Sequence, residues 1–307
     1  MKMYKGFMHV IFCFMLLSCQ ITCPRLTVLD IEPRSAELLK TLVMRFCYIS
    51  FVRVNGKQYI IKQKKEDCFR KIVGVVRDAI TAHVAESFGL GFAHQVDVIP
   101  AGKAFPGKPR TDWPATIHTI APGKMIKAQS TPYDGMKIKQ AVGFTRSMLQ
   151  WLVKDEALVK MTALDTFLCN HDRHRGNLFY NKKDGSFCAI DMDSAFKYNL
   201  CELACRNFRA MLQDQKLFLT RKEIKALELY KGYLEFLIAR YQPEELLRLY
   251  DYFTEKAGFV EGAALYTKKI ALELAGNREM IVKSYQDAQK LVPLVEKVIE
   301  KGKKELK

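Results

Sequence analysis

Asn170-His171-Asp172-Arg173-His174-Arg175-Gly176-Asn177, followed after a short interval by Ala189-Ile190-Asp191-Met192-Asp193, is the stretch on which the reading of this chain turns. Its first eight residues gather an acid, two histidines, two arginines and a closing amide. Two short β-rich runs, Leu178-Phe179-Tyr180 and Phe187-Cys188-Ala189-Ile190, flank the turn Lys183-Asp184-Gly185 and predict a hairpin. That hairpin can set Asn177 beside Asp191, which follows it by fourteen residues. A carboxylate and an amide carbonyl are both hard oxygen ligands, suited to a magnesium ion that keeps water and nucleotide phosphates as its other ligands. Asp172, just upstream, can then accept the proton of an attacking hydroxyl.

Working outward, residues 46–65 carry the clearest strand signal. Phe46 to Val54 and Lys57 to Lys62 are two β-rich runs joined by Asn55-Gly56, a pair of residues that both accept positive φ and so close a tight hairpin. Residues 69–88 predict an amphipathic helix, with Ile72, Val75, Val76, Ile80, Val84 and Phe88 at helical spacing and Gly89 as its stop. Val96 to Pro100 and Ala115 to Ile120 predict two more strands, separated by a Gly/Pro-rich loop over 101–114. From about residue 136 the pattern is mostly helical, with several amphipathic helices across 217–304. The expectation is an α+β chain of two lobes: a β-rich one over 40–122 and a helical one over 123–307. The Gly-Pro punctuation at 121–124 would be the hinge, and the cleft between lobes is where a nucleotide would bind.

The run D-R-H-R-G-N followed by A-I-D-x-x-x-A-F resembles the phosphatidylinositol 3-/4-kinase-like group of the protein-kinase-like superfamily. Within it, Asn170 and the phrase Ala189-Ile190-Asp191 with Ala195-Phe196 resemble the type II phosphatidylinositol 4-kinase branch and its bacterial relatives. HipA-type toxin kinases, aminoglycoside phosphotransferases and choline kinases carry related patterns. The resemblance implies a bilobal kinase-like fold using ATP and Mg2+, with Asp172 as catalytic base and Asn177 and Asp191 as magnesium ligands. His174 becomes a transition-state or alternative base residue. Lys62, closing its strand, matches the lysine that holds the α- and β-phosphates, and Asp78 falls where the family usually has a glutamate paired to that lysine. Thr116 to Gly123 resembles the hinge strand against which adenine stacks, with Thr119 and Ile120 as the adenine contacts; His118 reads as a strand filler.

A HipA-type protein kinase and an aminoglycoside- or choline-kinase-like small-molecule kinase are alternatives, and two departures add a third, a nucleotide-binding pseudokinase acting as a scaffold. The segment that should cradle the β- and γ-phosphates, Met44 to Ser50, contains no glycine, and Asp193 stands where kinases often have one. An aspartate in place of glutamate at 78 also shortens the reach to Lys62 by one methylene.

A formal charge of +16 favours an anionic acceptor, either a lipid or a protein, and contact with an anionic membrane surface. The lysines are dispersed and no nucleic-acid-reading motif accompanies them, so no specific nucleic-acid partner is expected. Lys2 and Lys5 ahead of the apolar run Met8 to Leu17 read as a targeting segment over 1–23. Its end, Leu16-Leu17-Ser18-Cys19, resembles a lipobox, so the chain is expected to be exported or anchored through a lipidated Cys19, or secreted into a host. The remaining cysteines form no paired C-x-x-C motifs and read mostly as small buried apolar residues.

Overall fold

The computed structural model describes residues 35–65, 72–88, 95–121, 124–125, 149, 152–173, 175–181, 183 and 187–306. The targeting segment with Cys19, the Pro122-Gly123 punctuation and His174 lie outside the described residues.

The N-terminal region is a five-stranded antiparallel sheet in the order β1-β2-β3-β5-β4. Its strands are β1 (Ala36–Val43), β2 (Cys47–Val54), β3 (Lys57–Lys64), β4 (Val96–Ile99) and β5 (Ala115–Thr119). The expected hairpin is β2–β3, and its turn residues Asn55 and Gly56 take φ values of 49° and 77°. Strand β1 is an addition to the expected set. It is mostly exposed, and its pairing with β2 slips between Leu38 and Lys40. One face of the sheet closes over a small core of Val52, Val54, Ile61, Ile99, Phe105, Ala115 and Ile117.

Helix α1 (Gly74–Ser87) follows β3, and twelve of its fourteen residues are buried. The sequence predicts an amphipathic helix there, but α1 has almost no wet face. One side packs on β4 and the other on α5 (Pro243–Lys256), a helix from the far end of the chain. Residues of α1 and β4 therefore belong to the same hydrophobic core as the helical half.

A second, three-stranded sheet carries β6 (Lys124–Met125), β7 (Leu178–Tyr180) and β8 (Phe187–Ala189) in that order. It sits beside α2 (Glu156–Phe167), α3 (Leu200–Gln213), α4 (Arg221–Arg240) and α6 (Lys268–Glu305). Each starts on a side-chain cap: Asp155 accepts from the Ala157 amide, Asn199 from Glu202, and Thr267 from Ile270. Thr220 and Glu223 cap one another at the start of α4. The 38-residue α6 packs along α3 and α4 and forms the spine of this half. Among the described residues, no helix is long and apolar enough to cross a membrane. Cys47, Cys169, Cys188, Cys201 and Cys205 are free and buried.

Candidate active site

Helix α2 ends at Phe167, and Cys169, at φ 53°, turns the chain sharply into the 170–177 loop. A buried carboxylate organises that loop. Asp165, on the last turn of α2, accepts from Asn170 Nδ2 at 2.9 Å and from Arg173 Nε and Nη2, both at 2.9 Å. Such a two-toothed pair between planar groups fixes direction as well as distance. The third guanidinium nitrogen, Arg173 Nη1, reaches the carbonyls of Asn177 at 3.2 Å and Ile190 at 3.1 Å. Arg173 thus ties helix α2, the loop and the far strand end into one unit. Its role and that of Asp165 are not evident from the motif. The available signal was an acid at the end of a buried helix, eight residues before an arginine in an otherwise polar loop.

The hairpin β7–β8 then does what its length allows. Ile190 donates its amide to the Asn177 carbonyl at 3.0 Å, which places Asp191 next to Asn177. The Asn177 side chain donates Nδ2 to the Asp172 carbonyl at 3.0 Å. That bond orients the amide so that Oδ1 remains its acceptor atom, the one a magnesium ion takes. Asp191 adopts φ 58°, a left-handed conformation that aspartate tolerates better than most side chains, and its carboxylate is 38% exposed. One accessible carboxylate and one amide oxygen on adjoining strand ends suit a magnesium ion that draws its other ligands from phosphate and water. No cluster of three or more His, Cys, Asp or Glu ligands gathers among the described residues.

After Asp191 the backbone is held by three more contacts. Met192 donates its amide to Asp78 Oδ1 at 3.0 Å, Arg77 Nε donates to the Asp193 carbonyl at 2.6 Å, and the Phe196 amide donates to the Leu168 carbonyl at 3.0 Å. Arg77 and Asp78, neighbours on α1, therefore both reach the 191–193 segment, and Arg77 continues to Glu273 on α6 at 2.8 Å.

Lys62, on β3, lies among three carboxylates. Its ammonium contacts Asp191 directly, stands 3.4 Å from Asp193 Oδ2 and 3.9 Å from Asp78 Oδ2. The expected partner, Asp78, is thus within ion-pair range, but Asp191 is nearer. Burial alone would lower the Lys62 pKa, yet the charges of Asp191, Asp193 and Asp78 override it and hold the ammonium well above its usual range. Asp78 responds the other way. Burial pushes it up to about 6, against the pull of Lys62, because Asp191 and Asp193 add repulsion. Asp193 behaves differently again: burial would raise it, but Lys62, Lys64 and Arg77 together hold it well below the carboxylate range.

His118 is more than a filler, since its Nε2 lies 2.6 Å from Thr116 Oγ1 and 3.7 Å from Asp78 Oδ2, beneath the carboxylate that faces Lys62. Thr119 donates its amide to the Gln95 carbonyl at 3.0 Å and accepts from the Gln95 amide at 2.8 Å. Those bonds close the sheet end, and Ile120 is exposed just past β5. The glycine-free segment divides in two. Met44, Arg45 and Phe46 make the β1–β2 turn, with Met44 and Phe46 exposed, whereas Cys47 to Ser50 already belong to β2. Asp172 is half-buried beside Asn177.

No family model matches the chain, and no curated protein matches it. Among solved structures, it is similar to the crystal structure of the Helicobacter pylori proinflammatory kinase CtkA. That likeness has a TM-score of 0.50 and 12% identity, and covers 86% of this chain and 96% of that one. Identity that low speaks to the fold alone. The chain has an α+β, bilobal kinase-like fold with a β-rich N-terminal region and a helical remainder.

Proposed function

We propose that the chain is an ATP- and magnesium-dependent phosphotransferase of the phosphatidylinositol 3-/4-kinase-like or HipA-like type, acting on a hydroxyl of an anionic lipid or protein. One observation carries the reading: Lys62 meets Asp78 and Asp191 in one cluster, while Asp191 is joined through Ile190 to Asn177 and the Asp172 loop. A lysine from the sheet, an acid from the helix and a metal-type acid and amide from the second sheet thereby converge.

In this reading Asn177 and Asp191 hold magnesium, which when bound neutralises charge on the terminal phosphates. Lys62 holds the phosphates, and Asp78, backed by His118 and the Met192 amide, positions Lys62. Ile120 and Thr119 border the adenine. Asp172 receives the acceptor's proton as the acceptor oxygen bonds to the γ-phosphorus; the bond from that phosphorus to its bridging oxygen breaks and ADP leaves. The surplus of positive charge draws an anionic acceptor or surface toward the cleft.

The test compares wild type with Asp191→Ala and Asp172→Ala in magnesium-dependent ATP binding and turnover. Asp191→Ala is expected to lose metal-dependent binding. Asp172→Ala is expected to keep binding and lose transfer by about two to four orders of magnitude. Equal nucleotide affinity in wild type and Asp191→Ala would refute the metal role. The exposed, glycine-free turn at Met44–Phe46 favours a second reading, a nucleotide-binding pseudokinase scaffold. Tight MgATP binding with no turnover on any lipid or protein acceptor would select it.

A further inference from the structure

We infer that Lys64 is a second phosphate-binding lysine, placed to supply the phosphate contact that the backbone amides of a glycine-rich β1–β2 turn would supply. The inference rests on the phosphotransferase reading and specifies how that cleft would grip a nucleotide's outer phosphates.

Side chains on a strand alternate, so Lys62 and Lys64 emerge on the same face of β3. Both ammonium groups meet one oxygen, Asp193 Oδ2: Lys64 by direct contact and Lys62 at 3.4 Å. The two cations are therefore neighbours, and both side chains are largely withdrawn from water, at 13% and 9% exposed. Lys62 also reaches Asp191 and Asp78, so Asp193 Oδ2 is the carboxylate oxygen that the two lysines share, and it marks the position a phosphate oxygen would take between two ammonium groups.

Register locates the pair relative to the turn. Lys64 lies opposite Cys47, the first residue of β2, whereas Lys62 lies opposite Ile49, two residues deeper. Lys64 is thus the lysine nearer the β1–β2 turn. In that turn the Met44 amide is committed to the Cys47 carbonyl at 2.9 Å, and the Phe46 carbonyl accepts from Lys65 at 3.2 Å. Backbone amides are what a glycine-rich turn would direct at phosphate. Here an ammonium beside the turn takes that place: Lys62 serves the inner phosphates and Lys64 the outer ones. The competing role is a tether, with the Lys64–Asp193 pair merely pinning β3 to the 191–196 segment.

The experiment measures binding of the magnesium complexes of AMP, ADP and a non-hydrolysable ATP analogue to the full chain by calorimetry. Lys64→Met is expected to leave AMP affinity near wild type and to weaken the triphosphate about tenfold or more, with Lys64→Arg restoring most of it. Removing one partner of a buried pair can unfold a protein, so Asp193→Asn and the double variant Lys64→Met/Asp193→Asn carry the same comparison without an unmatched carboxylate. Asp193→Asn alone should keep the preference for triphosphate over monophosphate, and the double variant should lose it. A folded Lys64→Met or double variant with an unchanged preference overturns the inference and leaves the tether. Failure of wild type to bind any of the three nucleotides overturns the phosphotransferase reading, and this inference with it.

Discussion

At the scale of single residues, Asp78 shows how far burial can move a charge. Its carboxylate faces Lys62, His118, Asp191 and Asp193 from three elements, and burial leads the shift to about 6. A carboxyl whose pKa is raised on folding is favoured by the fold in its protonated form. Its contribution is thus favourable below the unfolded value near 3.8 and is lost as pH rises through 6. Comparing wild type with Asp78→Asn by denaturant unfolding should show the stability difference moving against wild type by about 2 kcal/mol between pH 4 and pH 7. A difference that stays flat across that window would show the carboxyl to be unshifted. Arg173 gives a second case. Only 2% exposed, it has Asp165 as its charge partner, so Asp165→Asn strands a buried guanidinium and should cost about 3–5 kcal/mol in urea unfolding. Neither fact is legible in the sequence. Asp165 and Arg173 are ordinary letters until the left-handed turn at Cys169 folds the loop back on its helix.

At the scale of elements, legibility follows how local each signal is. Asn55-Gly56 closes β2 on β3 because the turn conformation is a property of two adjacent residues. Strand β1 carries little alternation and mostly exposed side chains, and it is a strand only because β2 is beside it. Strand β6 is two residues long and exists through its pairing with β7. Helix α6 offers a direct test of packing against propensity. A Cβ at Gly302 would lie 2.8 Å from Leu219 Cδ1 and 3.1 Å from Leu219 Cβ, whereas one at Gly232 on α4 meets nothing within 4 Å. Gly232→Ala should stabilise by about 0.5–1 kcal/mol through helix propensity. Gly302→Ala should destabilise by about 1–2 kcal/mol, since crowding against buried Leu219 outweighs the same gain. Thermal melts of the two variants moving in opposite directions would bear this out.

At the scale of the whole molecule, α1 joins the two regions. Its core residues pack with those of α5, Lys256 pairs with Asp97 on β4 at 2.5 Å, and Arg77 runs from α1 to Glu273 on α6. A helix held on both sides leaves the sheet little independence, so calorimetry should show one unfolding transition with equal calorimetric and van't Hoff enthalpies. Two resolved transitions would mean that the regions fold separately. The N-terminal reading has its own test. Mass spectrometry of the native protein should find a chain beginning at Cys19 with an acyl mass increment, and an intact Met1 would overturn the export reading.

The sequence alone determined the strand–turn–strand signatures, the placement of the helices and of every strand but β1 and β6, and the 170–193 motif with its kinase resemblance. Each depends on residues close together, where spacing and backbone preference are enough. Only the tertiary structure decided that Asp78 shares Lys62 with two other acids, that Arg173 rivets the loop, and that Lys64 stands beside Lys62 at Asp193. Those relations join residues more than a hundred positions apart, or through a sharp turn. They arise because burying α1 and the hairpin against one core forces charged groups to find partners out of water.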